Sequence, residues 1–142
     1  MSDSVRIASI VSQQVQEHAH QELRVECCGM LAGRDGVITR AHPALNAARN
    51  PATEYEIAPK QLFQLTREIR AAGLQLLGIY HSHPNGSNEP SARDIEQAYY
   101  PEVAYFIISP VEDAEEPVRA FSICNGQVAE LKIQVICTMF PA

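Results

Sequence analysis

Apolar positions recur with two different periods along the chain, and they divide it into alternating strand and helix candidates. Val5–Ile7 reads as a short strand. Ser9 then stands as the N-cap of a helix to about Leu23, in which Val11, Val15, Ala19 and Leu23 recur every four residues and form one apolar face. Cys27–Ala32 is a short apolar run closed by Gly33, and Asp35-Gly36 predicts a tight hairpin before Val37–Ala41. Residues 46–53, interrupted by Pro51, read as loop. Pro59 suits the first turn of a second helix, with Leu62, Leu65, Ile69 and Ala72 as its apolar face and Gly73 as its stop.

Leu74–Tyr80 reads as a buried strand, and a turn-rich loop covers Asn85–Pro90. Ser91 opens a short helix to about Tyr100, and Val103–Ser109 is another apolar strand. Val118–Cys124 and Val128–Val135, joined by Asn125-Gly126, form a hairpin. Strands and helices alternate early, and strands pair by hairpins late. That order predicts an α/β sandwich with a mixed sheet. The 142 residues contain no repeat, low-complexity tract or linker, so residues 1–142 are expected to form a single domain.

Composition narrows the function classes. Apolar residues make up 46% and charged residues 20%, a globular balance. Aromatic residues are only 6%, without tryptophan, which disfavours a base-stacking nucleic-acid platform. A net charge of −6 repels phosphate backbones and anionic lipid, so neither nucleic acid nor membrane is an expected partner. No stretch approaches the roughly 20 apolar residues of a membrane span. Met1-Ser2-Asp3-Ser4 lacks the basic and apolar regions of a secretory signal, so the cytoplasm is the expected compartment. The four cysteines contain no C-x-x-C pair and are expected to be plain buried thiols.

The candidate chemistry lies between His81 and Asp94. In an extended segment, residues i and i+2 share a face, so His81 and His83 aim two imidazoles at one point while Ser82 faces away. Three protein ligands and one open position make a catalytic zinc site. Asp94 is a candidate third ligand. An H-x-H pair alone is weak evidence of metal, however. Ser91-x-x-Asp94 also has the spacing of a helix capping box, which needs no metal. A short cap can also place a carboxylate, so the two readings are compatible. His18 and His20 repeat the H-x-H pattern, but i and i+2 diverge on a helix, and both are expected at the surface. His42, before Pro43, reads as structural. Tyr80, Asn85 and Asn88 border the candidate site, with no pattern that assigns them to substrate. Taken alone, Glu26 is readily a solvated strand-edge carboxylate.

The whole pattern is more specific than its parts. His81-Ser82-His83, seven residues, Ser91, two residues and Asp94, preceded by Glu26-Cys27-Cys28-Gly29-Met30-Leu31-Ala32-Gly33, resembles the signature of the JAMM/MPN+ zinc metallopeptidases. The match includes the apolar strand ending in Gly78-Ile79-Tyr80 and extends roughly from Val5 to Val135. The resemblance implies a cytidine-deaminase-like α/β domain, with a mixed, curved sheet flanked by helices. It implies one Zn2+ per chain held by His81, His83 and Asp94, Glu26 as general base and Ser91 as oxyanion donor.

The same resemblance implies cleavage of amide or isopeptide bonds after the C-terminal glycines of ubiquitin or a ubiquitin-like protein. Only 48 residues follow Asp94 (142 − 94), which leaves no room for the two insertions that grip ubiquitin in the larger members. The chain is similar to the short bacterial branch, which includes a peptidase that releases cysteine from a sulfur-carrier protein. The implied partner is a small ubiquitin-like or sulfur-carrier protein with a Gly-Gly tail. The adduct, the substrate-contacting residues and the oligomeric state, a homodimer included, are left open. Two rival readings stay beside this one: a zinc hydrolase of a small-molecule amide, and a non-catalytic MPN scaffold.

Overall fold

A computed structural model describes residues 3–137. The elements follow in the order β1 (Ser4–Ala8), α1 (Ser9–Gln21), β2 (Cys28–Arg34), β3 (Val37–Ala44), α2 (Pro59–Ala71), β4 (Gln75–Ser82), α3 (Ala92–Glu96), β5 (Ala104–Ile108), β6 (Val118–Cys124) and β7 (Gln127–Ile136). The sheet is mixed, as expected: β1 is parallel to β3 and to β7, β4 is parallel to β5, and the other neighbours are antiparallel. Its curvature goes further than the sequence pattern predicts. β1 pairs on both sides, so the order β1-β3-β2-β4-β5-β6-β7 closes into a barrel.

Both hairpin signals form as their chemistry requires. Asp35 and Gly36 have φ of 55° and 77°, and Asn125 and Gly126 have φ of 53° and 78°. Those paired left-handed residues match the twist of the flanking strands.

Several element boundaries differ from expectation. Ser9 is the first helical residue and not the cap, because β1 runs directly into α1 and the capping position falls on the extended Ala8, which forms no side-chain cap. α1 ends at Gln21, so Leu23 lies beyond it and is 56% exposed. α3 stops at Glu96, short of Tyr100. Pro101 disfavours helical backbone at the residue before it. β3 extends past Ala41 through Pro43. Beyond Ile38 it no longer pairs with β1, and a strand proline is tolerated where one side lacks a neighbour.

The period-two alternation sorts side chains onto two faces. Cys27, Leu31, Tyr80, Phe106 and Ile108 pack with Val11, Val15 and Ala19 of α1. Cys28, Met30 and Ala32 face Leu65 and Ile69 of α2. Ile79, Tyr105 and Ile107 form a third cluster with Ile95 and Ala98. Helices thus cover both faces, which explains why β2 and β5 are buried almost throughout. Cys27 and Cys28 are buried thiols as expected, whereas Cys124 and Cys137 are exposed. Both of these lie at strand ends, where alternation no longer decides burial.

Candidate metal centre

β4 carries the first two candidate ligands to its C-terminal end. His81 sits opposite Cys28 on β2 and beside Ile107 on β5. One residue past the strand, His83 N–H donates to Ile108 O at 3.0 Å and prolongs the parallel ladder. Strand pleating then puts both rings on one side, with centroids 4.8 Å apart. Ser82 points to the other side, and its Oγ accepts from Cys27 N–H at 2.9 Å.

Asp94 reaches the same point from α3. Ser91 Oγ accepts the Asp94 N–H at 3.1 Å, and Asp94 Oδ2 accepts the Ser91 N–H at 2.9 Å. The capping box is therefore real. It also aims the carboxylate: Oδ2 lies 3.0 Å from His83 Nε2 and 3.2 Å from His81 Nε2. The two histidine Nε2 atoms are 3.0 Å apart. Glu26, just ahead of β2, completes a group whose four donor atoms all lie within 4.8 Å of one another. Ser91 is exposed beside this group, tied to it through Asp94.

The donor chemistry fits a divalent cation. His83 Nδ1 lies 2.7 Å from Ser87 O. A carbonyl only accepts, so Nδ1 carries the proton and Nε2 presents a lone pair to the centre. That lone pair faces the Asp94 carboxylate oxygen across 3.0 Å, an arrangement that needs a proton or a cation between the two. A tetrahedral ion bound at about 2.0–2.1 Å separates its ligand atoms by roughly 3.3 Å. The observed edges of 3.0–3.2 Å come close to this. Glu26 Oε1 is buried without a hydrogen-bond partner among the described residues, a further polar atom that the protein alone leaves unsatisfied.

Electrostatics separates the carboxylates. Burial pushes the Glu26 carboxyl up to about 7; Asp94 and Glu54 add to this, and His83 and Arg93 oppose it. Burial also acts to raise Asp94, but hydrogen bonds from His81 and His83 outweigh it and hold that carboxyl far below the usual range. Burial lowers the His81 imidazolium, whereas for His83 the bond to Asp94 overcomes burial and raises it. One carboxylate is fixed as an anion facing the histidines. The other is poised to exchange a proton near neutrality.

Sequence reasoning missed the loop that organises this centre. Asn46 Nδ2 donates to Glu26 O and to Glu54 O, both at 2.9 Å. Asn46 Oδ1 accepts from Ala48 N–H and Glu56 N–H. Glu26 N–H donates to Pro51 O at 2.7 Å. The same loop brings Tyr55 onto His81, stacked at 4.3 Å between centroids with a 20° interplanar angle. The available signal was a single aromatic residue, Tyr55, in a long loop.

The bordering residues each have partners within the fold. Tyr80 packs on the α1 side, with its hydroxyl 2.8 Å from His18 Nδ1. His18 is accordingly half-buried and pairs with Glu22, whereas His20 is exposed as expected. Asn85 accepts from Ser87 N–H, and Asn88 donates to Glu116 O. His42 lies on β3, 4.0 Å from Glu68 and outside the metal-ligating group.

Similarity to known proteins agrees with this geometry. The family model for prokaryotic homologs of the JAB domain matches residues 9–124. The desampylase of Haloferax volcanii is 35% identical over 115 residues, covering 77% of this chain and 83% of its own length. A probable TtuB-protein conjugate cleaving protease of Thermus thermophilus is 36% identical, covering 85% of this chain and 77% of its own. The CysO-cysteine peptidase of Mycobacterium tuberculosis is 31% identical over 84% of this chain and 82% of its own. In structure, a protein from Desulfitobacterium hafniense superposes with a TM-score of 0.84 and 30% identity, over 94% of both chains. A barrel whose His, His, Asp and Glu side chains converge at one strand end, with this breadth of sequence similarity, places the chain in the family of prokaryotic JAB-domain homologs.

Proposed function

We propose that this chain is a zinc-dependent hydrolase acting on the C-terminal Gly-Gly tail of a small ubiquitin-like or sulfur-carrier protein in the cytoplasm. It cleaves the peptide or isopeptide bond that follows the tail. The observation that carries this reading is the 3.0–3.2 Å triangle of His81 Nε2, His83 Nε2 and Asp94 Oδ2, with the Glu26 carboxylate in reach. His81, His83 and Asp94 would hold one Zn2+. When bound, the ion lowers the pKa of water toward 7 and polarises a carbonyl oxygen.

Glu26 is the general base. Its buried carboxylate takes a proton from the attacking water and delivers it to the nitrogen of the leaving amine. The pull of burial toward a pKa near 7 suits both transfers. Ser91 is the oxyanion donor. Its Oγ already accepts the Asp94 N–H, so its own proton stays free for the substrate oxygen as negative charge builds there.

The names of the relatives, which refer to a TtuB-protein conjugate and to CysO-cysteine, support a carrier-type substrate. The test is a paired one. Bound zinc is quantified, and the protein is then incubated with a Gly-Gly-tailed carrier extended by a C-terminal cysteine, with and without chelator. Loss of the terminal residue that stops with chelator is expected. Full zinc occupancy with no cleavage of this or a lysine-linked carrier would overturn the substrate class.

A further inference from the structure

Arg93 precedes Asp94 in the single turn of α3 and is half-exposed. Its Nε lies 3.0 Å from Glu54 Oε2. Glu54 belongs to the loop that Asn46 ties to the Glu26 backbone. The guanidinium therefore bridges the element that carries Asp94 and the loop that holds Glu26. Arginine presents five N–H donors in a planar fork. Among the described residues, Nη1 and Nη2 enter no hydrogen bond.

The surroundings are otherwise acidic, with Glu26, Glu54 and Asp94 close together. The Arg93 charge acts on the Glu26 carboxyl against the pull of burial. This matters for the leaving group. Whatever amine departs must come within hydrogen-bond reach of Glu26 to be protonated. When the leaving group is a single amino acid, its α-carboxylate stands one carbon from that amine. It would then approach the Glu26 carboxylate, beside which Glu54 adds a second negative charge. A lysine side-chain amine carries no such charge.

We propose that Arg93 recognises the free α-carboxylate of the leaving group through Nη1 and Nη2, so that the favoured substrate is a Gly-Gly tail bearing one amino acid. The inference rests on the hydrolase reading above and narrows it from a peptide or isopeptide bond to the peptide bond of a single amino acid. In the reaction, water adds to the glycine carbonyl and the C–N bond breaks. The amine leaves with the proton held by Glu26, and the tail ends as a carboxylate. Arg93 stays a bound cation throughout. Glu54 holds the near side of the fork and leaves the far side for the bidentate contact that guanidinium makes with carboxylates.

The experiment uses the zinc-loaded full chain and three substrates on one Gly-Gly tail. The first ends in a cysteine with a free carboxylate, the second in its C-terminal amide, and the third is joined to a lysine Nε. A charge-assisted contact of ordinary strength predicts kcat/KM roughly 10- to 100-fold higher for the free acid than for the amide, mostly in KM. Arg93→Gln should remove that preference, and Arg93→Lys should retain part of it. Equal kcat/KM for acid and amide in the unmodified protein overturns the inference and leaves the hydrolase reading intact. A preference that persists in Arg93→Gln also overturns it. Cleavage of none of the three by protein with full zinc overturns the underlying reading, and the inference with it.

Discussion

Ser82 and Cys27 bind each other twice: Cys27 N–H donates to Ser82 Oγ at 2.9 Å, and Ser82 N–H donates to Cys27 O at 3.0 Å. Ser82 is the residue between the two histidines, and Cys27 directly follows Glu26. The pair therefore fixes the distance between the proposed base and the proposed ligands from the face opposite the centre. Neither residue touches the reacting atoms. A functional spacing is set here by a buried hydroxyl.

Removing that hydroxyl leaves the buried Cys27 N–H without an acceptor. Ser82→Ala is expected to cost about 1–3 kcal/mol of stability, measured by denaturant unfolding. Turnover should fall as well, because Glu26 is then referred to β4 only through the backbone bond from Ser82 N–H to Cys27 O. Unchanged stability and unchanged kcat would remove Ser82 from the positioning framework.

Metal and fold are linked through mass action. Zinc at 100-fold over its dissociation constant should stabilise the native protein by about 2.7 kcal/mol, read as a rise in melting temperature. His81→Ala should lose most of the bound zinc and most of that rise. A variant that keeps full zinc occupancy would take His81 out of the ligand set.

Glu26→Gln is expected to keep zinc and fold but abolish turnover; near-native hydrolysis by it would refute the general-base role. The metal-free protein adds a pH signature. The carboxyl is raised from 4.5 to about 7 in the fold, so the fold favours its protonated form. That contribution is complete below pH 4.5 and is lost as pH rises through 7. Relative to Glu26→Gln, chelated native protein should lose up to ~1.4 kcal/mol per pH unit across this window. A flat difference in stability would mean that the carboxyl keeps its ordinary pKa.

The capping role of Ser91 and its proposed role as oxyanion donor can be separated. Glycine at an N-cap costs only a few tenths of a kcal/mol, so Ser91→Gly should unfold almost like the native protein. Loss of an oxyanion donor should lower kcat by roughly 10²- to 10³-fold. Full activity in that variant would reduce Ser91 to its capping function.

The convergence of His81, His83 and Asp94 was legible because each obeys a local rule, whereas Glu26 stood out only within the whole motif. His81 and His83 share a face through strand pleating, and Ser91 with Asp94 follows capping-box spacing. Both Asn-Gly and Asp-Gly hairpins formed for the same reason. Asn46, Tyr55 and the Glu54–Arg93 pair were not legible, because their roles depend on where a long loop lands. Barrel closure escaped as well. It sets Ser4 beside Lys132, a pairing that no window of sequence contains. Cys124 ends β6 and Cys137 follows β7, and their exposure depends on strand limits that the apolar alternation does not mark.

Ring closure also bears on self-association and folding order. Unpaired strand edges invite pairing with other chains, and a closed ring removes most of them. The two sides of β1 are unequal: two register pairs join it to β3, against five to β7. The β1–β3 seam is thus where the ring opens at least cost. Because its β7 side joins distant parts of the chain, this first strand should find its place late in folding. Until it does, β3 and β7 remain open to neighbouring molecules, and the risk of aggregation is concentrated in that interval.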